Sequence, residues 1–289
     1  MIITTCGNST KIGQRVAKKL KVPYSPLTVA AFPDGDLYLK FNSIIKNQTV
    51  IILQSFQPHP DQSLFDVIFA AETAKDLGAK KVILVAPYLA FMRQDKRFHP
   101  GEAISSKIMG KHLSIAVDQV ITIDPHLHRY KSLGEIFTCK TKCLTANSLI
   151  ASYVKKHIKN AVIIGPDWES YQWAEAIASD AKVECTVLAK TRFSSEHVSV
   201  KQLKPVQIKG KNVVIVDDII STGHTVAEAA KLAVSQGAKS ITAICVHGLF
   251  AGDALNIMKK AGVTKVVSTN TIEHPTNGID VSPLFFDIL

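Results

Sequence analysis

Two α/β domains, each a mostly parallel sheet flanked by helices, are what this 289-residue sequence predicts. Three observations carry that expectation. Short β-branched runs recur without polar interruption: Thr49–Leu53, Lys81–Ala86, Gln119–Ile123, Ala161–Ile164, Val213–Val216 and Ile241–Val246. Strands apolar on both sides need cover on both faces, which is the mark of a parallel sheet between helices. Helical patterns lie between these runs, and two of them, Asp61–Leu77 and Thr225–Gln236, end in Gly-Ala-Lys. Gly78 and Gly237 suit the left-handed position just past a helix. Finally, the halves echo each other at an offset of about 160 residues: Val50 with Val213, Gly78 with Gly237, Phe32 with Phe193. The length also favours two domains over one core. The expected division is 1–145 and 146–289, with the apolar tail 279–289 able to pack back on the first domain.

Composition narrows the function. Hydrophobic residues at 46% and charged residues at 20% describe a globular protein. Thirty-four Lys and Arg against 24 Asp and Glu give a net charge of +10, which favours anionic partners. No block of five or six basic residues occurs, so a nucleic-acid partner is not expected. Apolar runs such as Val82–Met92 fall short of a membrane span. Met1–Thr5 reads as a short strand rather than a targeting segment, and a cytoplasmic location is expected. The five cysteines are scattered, and Cys139 and Cys143 lack a second pair to complete a zinc site. They read as small residues in or near a core.

The chemistry concentrates at Val213–Thr225 (VVIVDDIISTGHT). Asp217 and Asp218 follow a buried strand, where open α/β sheets place their ligands. Ser221-Thr222-Gly223-His224-Thr225 then opens a helix. Backbone N–H groups and small hydroxyls at a helix N-terminus bind phosphate, and Gly223 lets the backbone come close. Two carboxylates would repel phosphate, so they suit sugar hydroxyls, reached directly or through Mg²⁺. A plain acidic pair capping a helix is the other reading of the pair alone.

This loop resembles the ribose-5-phosphate signature of the phosphoribosyltransferase fold. Further motifs resemble those of one family in that superfamily, the ribose-phosphate pyrophosphokinases (PRPP synthetases), in their compact archaeal-type form. Phe32-Pro33-Asp34-Gly35-Asp36 is similar to the FxDGE loop. Pro87–Arg97 is similar to the PYxxYARQDR element, and Glu102-Ala103-Ile104-Ser105 to EPIS. Asp124-Pro125-His126, Gly165-Pro166-Asp167 and Lys190-Thr191-Arg192 match the DxH, SPD and KxR positions. The likeness runs through essentially the whole chain, in order.

What the resemblance implies is a pair of phosphoribosyltransferase-like domains forming a homo-oligomer. The implied reaction moves the diphosphoryl group of ATP to the 1-hydroxyl of ribose 5-phosphate, giving PRPP and AMP. ATP would be held by Phe32, Asp34, Gly35, Asp36, Arg93, Gln94 and Asp95. Ribose 5-phosphate would be held by Arg192, Asp217, Asp218, Ser221, Thr222, Gly223, His224 and Thr225. His126 and Asp167 would ligate Mg²⁺, though histidine is not the usual donor for so hard an ion. Lys190 would be the main transition-state stabiliser with Arg192 beside it, on a mobile loop beyond strand Thr186–Ala189. Taken alone, Pro-Asp-Gly is a common turn and Lys-x-Arg a common solvated pair. The chain departs from the family pattern at Ser221, where aspartate is usual, and at His224, Phe91, Met92 and Asp36. A phosphoribosyltransferase consuming PRPP would explain the sugar-phosphate loop but not Phe32–Asp36 or Arg93–Asp95. A non-catalytic regulatory relative would be expected to have lost Lys190, Arg192, His126 or Asp167, and all four are present.

Overall fold

The structure, a computed structural model, describes residues 1–167, 170–192, 198–202 and 206–289; for 171, 188–192 and 198–202 it describes the backbone alone. The chain divides into two compact units.

The first unit comprises Met1–Thr145, Thr271–Glu273 and Val281–Leu289. Strand β1 (Ile2–Thr4) leads into helix α1 (Thr10–Leu20), then to β2 (Thr28–Ala31) and β3 (Leu37–Lys40). Next come β4 (Thr49–Leu53), α2 (Pro60–Asp76), β5 (Lys81–Ala86), α3 (Ser105–Ala116), β6 (Gln119–Ile123) and β7 (Lys140–Leu144). A five-stranded parallel sheet is ordered β1-β4-β5-β6-β7. Val50 through Leu53 and Leu84 through Ala86 are wholly excluded from solvent. At about 1.5–3 kcal/mol for each large apolar side chain buried, these runs supply much of the unit's driving force. The turn Ser282–Phe285 packs beside α1, with Lys19 Nζ 5.7 Å from the centre of the Phe286 ring.

The second unit comprises Ala146–Asn270 and His274–Asp280. It runs α4 (Asn147–His157), β8 (Ala161–Gly165), α5 (Tyr171–Ala181), β9 (Glu184–Arg192), β10 (Val198–Gln202), β11 (Asn212–Ile220) and α6 (His224–Ser235). It closes with β12 (Ser240–Gly248), α7 (Ala254–Lys260), β13 (Lys265–Thr269) and β14 (Asn277–Ile279). The sheet order is β10-β9-β8-β11-β12-β13-β14, parallel except for the β9–β10 hairpin.

The β–α–β echo is real in the backbone: β4-α2-β5 and β11-α6-β12 are both parallel crossovers. Gly78 and Gly237 close the two helices with φ of 81° and 79°. The echo fails one step earlier. β9 joins its main sheet, whereas β2 pairs only with β3 in a separate two-stranded ribbon.

Two expected boundaries also need correction. The strand expected to stop at Val216 continues through Asp217 and Asp218 to Ile220, because the long β12 offers partners as far as Gly248. Lys190 and Arg192, expected on a loop beyond Ala189, are residues of β9, held opposite Val200 and Val198 of β10. The Ser-Glu-His segment 193–197 that follows lies outside the described residues. Among the cysteines, all free, Cys6 and Cys245 are core residues, but Cys143 is exposed. No helix among the described residues is long and apolar enough to cross a membrane.

Candidate active site

In the second unit the chain goes from β8 to β9 on one side, then returns to place β11 on the other side of β8. Such a reversal opens a crevice at the carboxyl ends of the two strands, the usual ligand position in open α/β sheets. β8 ends at Gly165 while β11 runs on, so Asp217 and Asp218 lie beside the opening that β8 leaves. Asp167 follows β8 at the same level. Its Oδ1 accepts the Ser170 N–H at 3.0 Å, and its carbonyl accepts the Ser170 hydroxyl at 2.7 Å, which fixes the carboxylate at the start of α5.

The three carboxylates feel one another. Loss of solvent around Asp217 pushes its carboxyl well above the usual range, and the neighbouring charges of Asp218 and Asp167 push it further. The Asp218 N–H donates to Asp217 Oδ1 at 3.1 Å, and the Ile219 N–H donates to Asp218 Oδ1 at 2.7 Å. A cluster of this kind is relieved by a cation or by hydroxyl donors.

Three residues beyond the end of β11 at Ile220, Gly223 caps α6 with φ of 76°, and no side chain caps the helix. Its first N–H groups therefore have no partner inside the helix and carry the positive end of the dipole. A Cβ at Gly223 would sit 3.0 Å from the Ala254 carbonyl oxygen and 3.1 Å from Met258 Cγ of α7, so a side chain there is both crowded and strained. The Ala251 N–H donates to the Ser221 carbonyl at 3.0 Å, anchoring the turn from behind. Thr222 and His224 are exposed, and Ser221 and Thr225 half-buried. An acidic cluster and an uncapped helix N-terminus thus sit within one strand–turn–helix.

The first unit carries the other motifs. Phe32–Asp36 is the exposed turn of the β2–β3 ribbon. Phe32 N–H donates to the Asp36 carbonyl and Gly35 N–H to the Phe32 carbonyl, each at 2.8 Å, and Gly35 has φ of 94°. Asp34 Oδ1 accepts the Asp36 N–H at 3.2 Å, and the Phe32 ring stands edge-on to Tyr38 at 5.5 Å. Beneath this ribbon lies a cavity of about 520 Å³ lined by Val29, Ala31, Gly35, Leu37, Phe65 and Asp66. Asp66 is buried, its Oδ1 has no hydrogen-bond partner, and burial raises its carboxyl to about 6. Nothing in the local sequence marks Asp66, which looks like any polar residue of an amphipathic helix.

Arg93 and Gln94 follow β5 on a loop whose backbone turns through Phe91 at φ of 66°. Met92 is buried, which directs the chain so that Arg93 is exposed. The Ser105 hydroxyl donates to Gln94 Oε1 at the start of α3. The Asp95 side chain is buried. The residue as a whole is 5% exposed, and Arg129 Nη1 reaches both of its carboxylate oxygens, at 2.9 and 3.0 Å. A buried carboxylate paired with a guanidinium ties the loop after β5 to the segment after β6. Arg129 belongs to the segment after β6 that also carries His126, whose ring lies 3.8 Å from that of His128.

The expected residues therefore fall into three groups. Asp167, Asp217, Asp218 and Ser221–Thr225 come together in the second unit, with the Lys190 and Arg192 backbone on β9 of the same sheet. Arg93, Gln94 and Asp95 are tied to the His126 segment in the first. Phe32–Asp36 stands on its own ribbon there. His126 and Asp167, both expected to ligate Mg²⁺, belong to different units.

The chain is similar to known proteins over its length. Residues 1–116 match the N-terminal domain of ribose phosphate pyrophosphokinase, and residues 134–285 match the phosphoribosyl transferase domain. The chain is 34% identical to a ribose-phosphate pyrophosphokinase of Methanothermobacter thermautotrophicus over all of this chain and 99% of that one. It is 36% identical to one of Saccharolobus solfataricus over 94% of this chain and 93% of the relative. The crystal structure of phosphoribosylpyrophosphate synthetase from Mycobacterium smegmatis superposes with a TM-score of 0.85 at 25% identity, covering 99% of this chain and 96% of that one. Identity above 30% along nearly the whole of both chains makes this chain a member of the ribose-phosphate pyrophosphokinase family.

Proposed function

We propose that the protein transfers the diphosphoryl group of ATP to the 1-hydroxyl of ribose 5-phosphate, giving PRPP and AMP. The observation that carries this reading is the strand–turn–helix of β11 and α6, which joins an acidic cluster to an uncapped helix N-terminus. Asp217 and Asp218 hold the ribose hydroxyls, while Ser221–Thr225 hold the 5-phosphate. The anomeric oxygen attacks the β-phosphorus in line, its proton departs, and the bond from the β-phosphorus to the α,β-bridging oxygen breaks to release AMP. Such a reaction needs chiefly positioning and neutralised charge. Arg93 and Gln94 grip the nucleotide phosphates, a guanidinium being well suited to them. Asp34, Gly35 and Asp36 take the adenine edge, with Phe32 offering a ring face. Lys190 and Arg192 supply donors where charge builds in the transition state, Arg192 also meeting ribose 5-phosphate.

The crowded carboxylates Asp167, Asp217 and Asp218 fit a divalent cation by their hard oxygen donors and their mutual repulsion. In this reading Asp167 holds Mg²⁺ beside the acceptor, His126 meets a Mg²⁺ on the donor side, and the ion when bound supplies neutralisation of phosphate charge. Self-association is supported by Phe65 and Phe69 on α2 and Ile108 and Ile115 on the neighbouring α3, all 47–66% exposed. We assign the two units to donor and acceptor respectively, with no nucleic-acid or membrane partner and a cytoplasmic location.

The test is direct: incubate the purified protein with ATP, Mg²⁺ and ribose 5-phosphate and measure AMP and PRPP. Formation of both in equal amounts is expected. Ligand binding without product would favour a regulatory relative, and PRPP consumption with a base would favour a transferase. A second outcome concerns Gly223→Ala. A side chain at positive φ costs about 1–2 kcal/mol, and its Cβ presses on the Ala254 carbonyl. The KM for ribose 5-phosphate should rise by about tenfold, with the KM for ATP within a factor of two.

A further inference from the structure

A small polar strut fixes the loop that carries Arg93 and Gln94. Arg129 Nη1 donates to both oxygens of buried Asp95. The Tyr130 hydroxyl donates to the Asp95 carbonyl at 3.0 Å and lies 3.1 Å from the Ser106 hydroxyl. The Ser106 hydroxyl reaches the Gln94 carbonyl at 3.3 Å. The outer face of the Arg129 guanidinium lies 5.5 Å from the centre of the Phe98 ring. Three stretches of chain thus meet: the loop after β5, the start of α3, and the segment after β6 that carries His126. None of Asp95, Arg129, Tyr130 or Ser106 needs to touch a ligand for this to matter. A guanidinium held by a buried carboxylate has one allowed place, and the chain on either side of Asp95 inherits that precision.

We propose that Arg129 and Tyr130 are positioning residues for the nucleotide donor, acting through Asp95 to hold Arg93 and Gln94 in register with His126. The proposal rests on the diphosphoryl-transfer reading, and it assigns Asp95 to the strut instead of the nucleotide. Misplacing a phosphate-gripping group by about 1 Å can cost up to two decades. The cost should fall on one substrate only, because no member of the strut belongs to the sugar-phosphate loop.

The experiment is steady-state kinetics on the full-length protein with Arg129→Ala, Asp95→Ala, the double variant, Arg129→Lys and Tyr130→Phe. Arg129→Ala should raise the KM for ATP by about tenfold or more and leave the KM for ribose 5-phosphate within twofold. Arg129→Lys, which keeps a cation near Asp95, should recover a large part of that loss. Because the Asp95 carboxylate and Arg129 act as one linked pair, the double variant should be no worse than the poorer single one. Multiplying losses would show Asp95 touching the nucleotide itself and overturn the proposal. Equal losses for both substrates would also overturn it, since a merely structural pair predicts that. If Arg129→Ala does not fold, Tyr130→Phe decides: a selective rise in the KM for ATP supports the strut, and no change refutes it. Wild-type protein that forms no AMP would sink the reaction reading, whereas active wild type with indifferent variants would sink only the strut.

Discussion

Lys190→Ala lowers turnover by about two decades or more while ATP and ribose 5-phosphate still bind. The transferred group carries most negative charge when the old bond has weakened and the new one is incomplete. A cation that meets charge at that moment contributes to kcat more than to substrate affinity. The position of Lys190 strengthens this expectation. It lies within β9, in register with Val200 of β10, so its backbone is held by a ladder and not by a free loop. A backbone already paired in a ladder has less entropy left to lose at each turnover. Single-turnover kinetics with separate ligand-binding measurements would check it. Full turnover in the alanine variant would remove Lys190 from the chemistry.

The second large effect sets stability against activity. Asp217→Asn should raise the melting temperature at neutral pH and yet lower kcat/KM for ribose 5-phosphate by about 10- to 100-fold. The loss follows from a charged hydrogen bond worth about 1.5–3 kcal/mol. The gain follows from linkage. Burial and the charges of Asp218 and Asp167 raise the folded-state carboxyl of Asp217 above its unfolded value. Between those two values the folded chain binds more proton than the unfolded chain, so stability falls as pH rises. The decline begins near pH 4, the ordinary carboxylate value, and continues up to the raised folded value. Asparagine does not titrate, so its stability curve should lack this decline. Thermal melts of both proteins from pH 4 to 8 would test it; parallel curves would mean that Asp217 is not strained by its neighbours.

What the sequence made legible, and what it hid, follows the range of the interactions involved. Strands such as Val50–Leu53 and Val213–Val216 announce themselves because both faces are buried, which is a local compositional fact. Gly78 and Gly237 announce the helix ends because positive φ demands a residue without a side chain. The extension of β11 to Ile220 was hidden because it depends on β12, whose length is set elsewhere in the chain. Lys190 and Arg192 read as loop residues because the pairing that makes them strand comes from Val198–Gln202, across a segment with no strand pattern. Asp95 adjoins Arg93 and Gln94 in sequence, but the ion pair that holds it was hidden. Its partner Arg129 lies 34 residues away, and no periodicity points to it. Motifs name the neighbourhood of a site; which of their carboxylates face a ligand and which face the protein is decided by distant partners.

The continuation of β11 through the acidic pair has a consequence in time. Opening the backbone at Asp217 requires breaking its ladder with β12, so it belongs to the slow, cooperative breathing of the sheet. From Ser221 onward the chain leaves that ladder and is tied back chiefly by the Ala251 N–H. The acidic end of the candidate site is therefore held on the lifetime of the fold, while the turn at Ser221 rests on fewer backbone bonds.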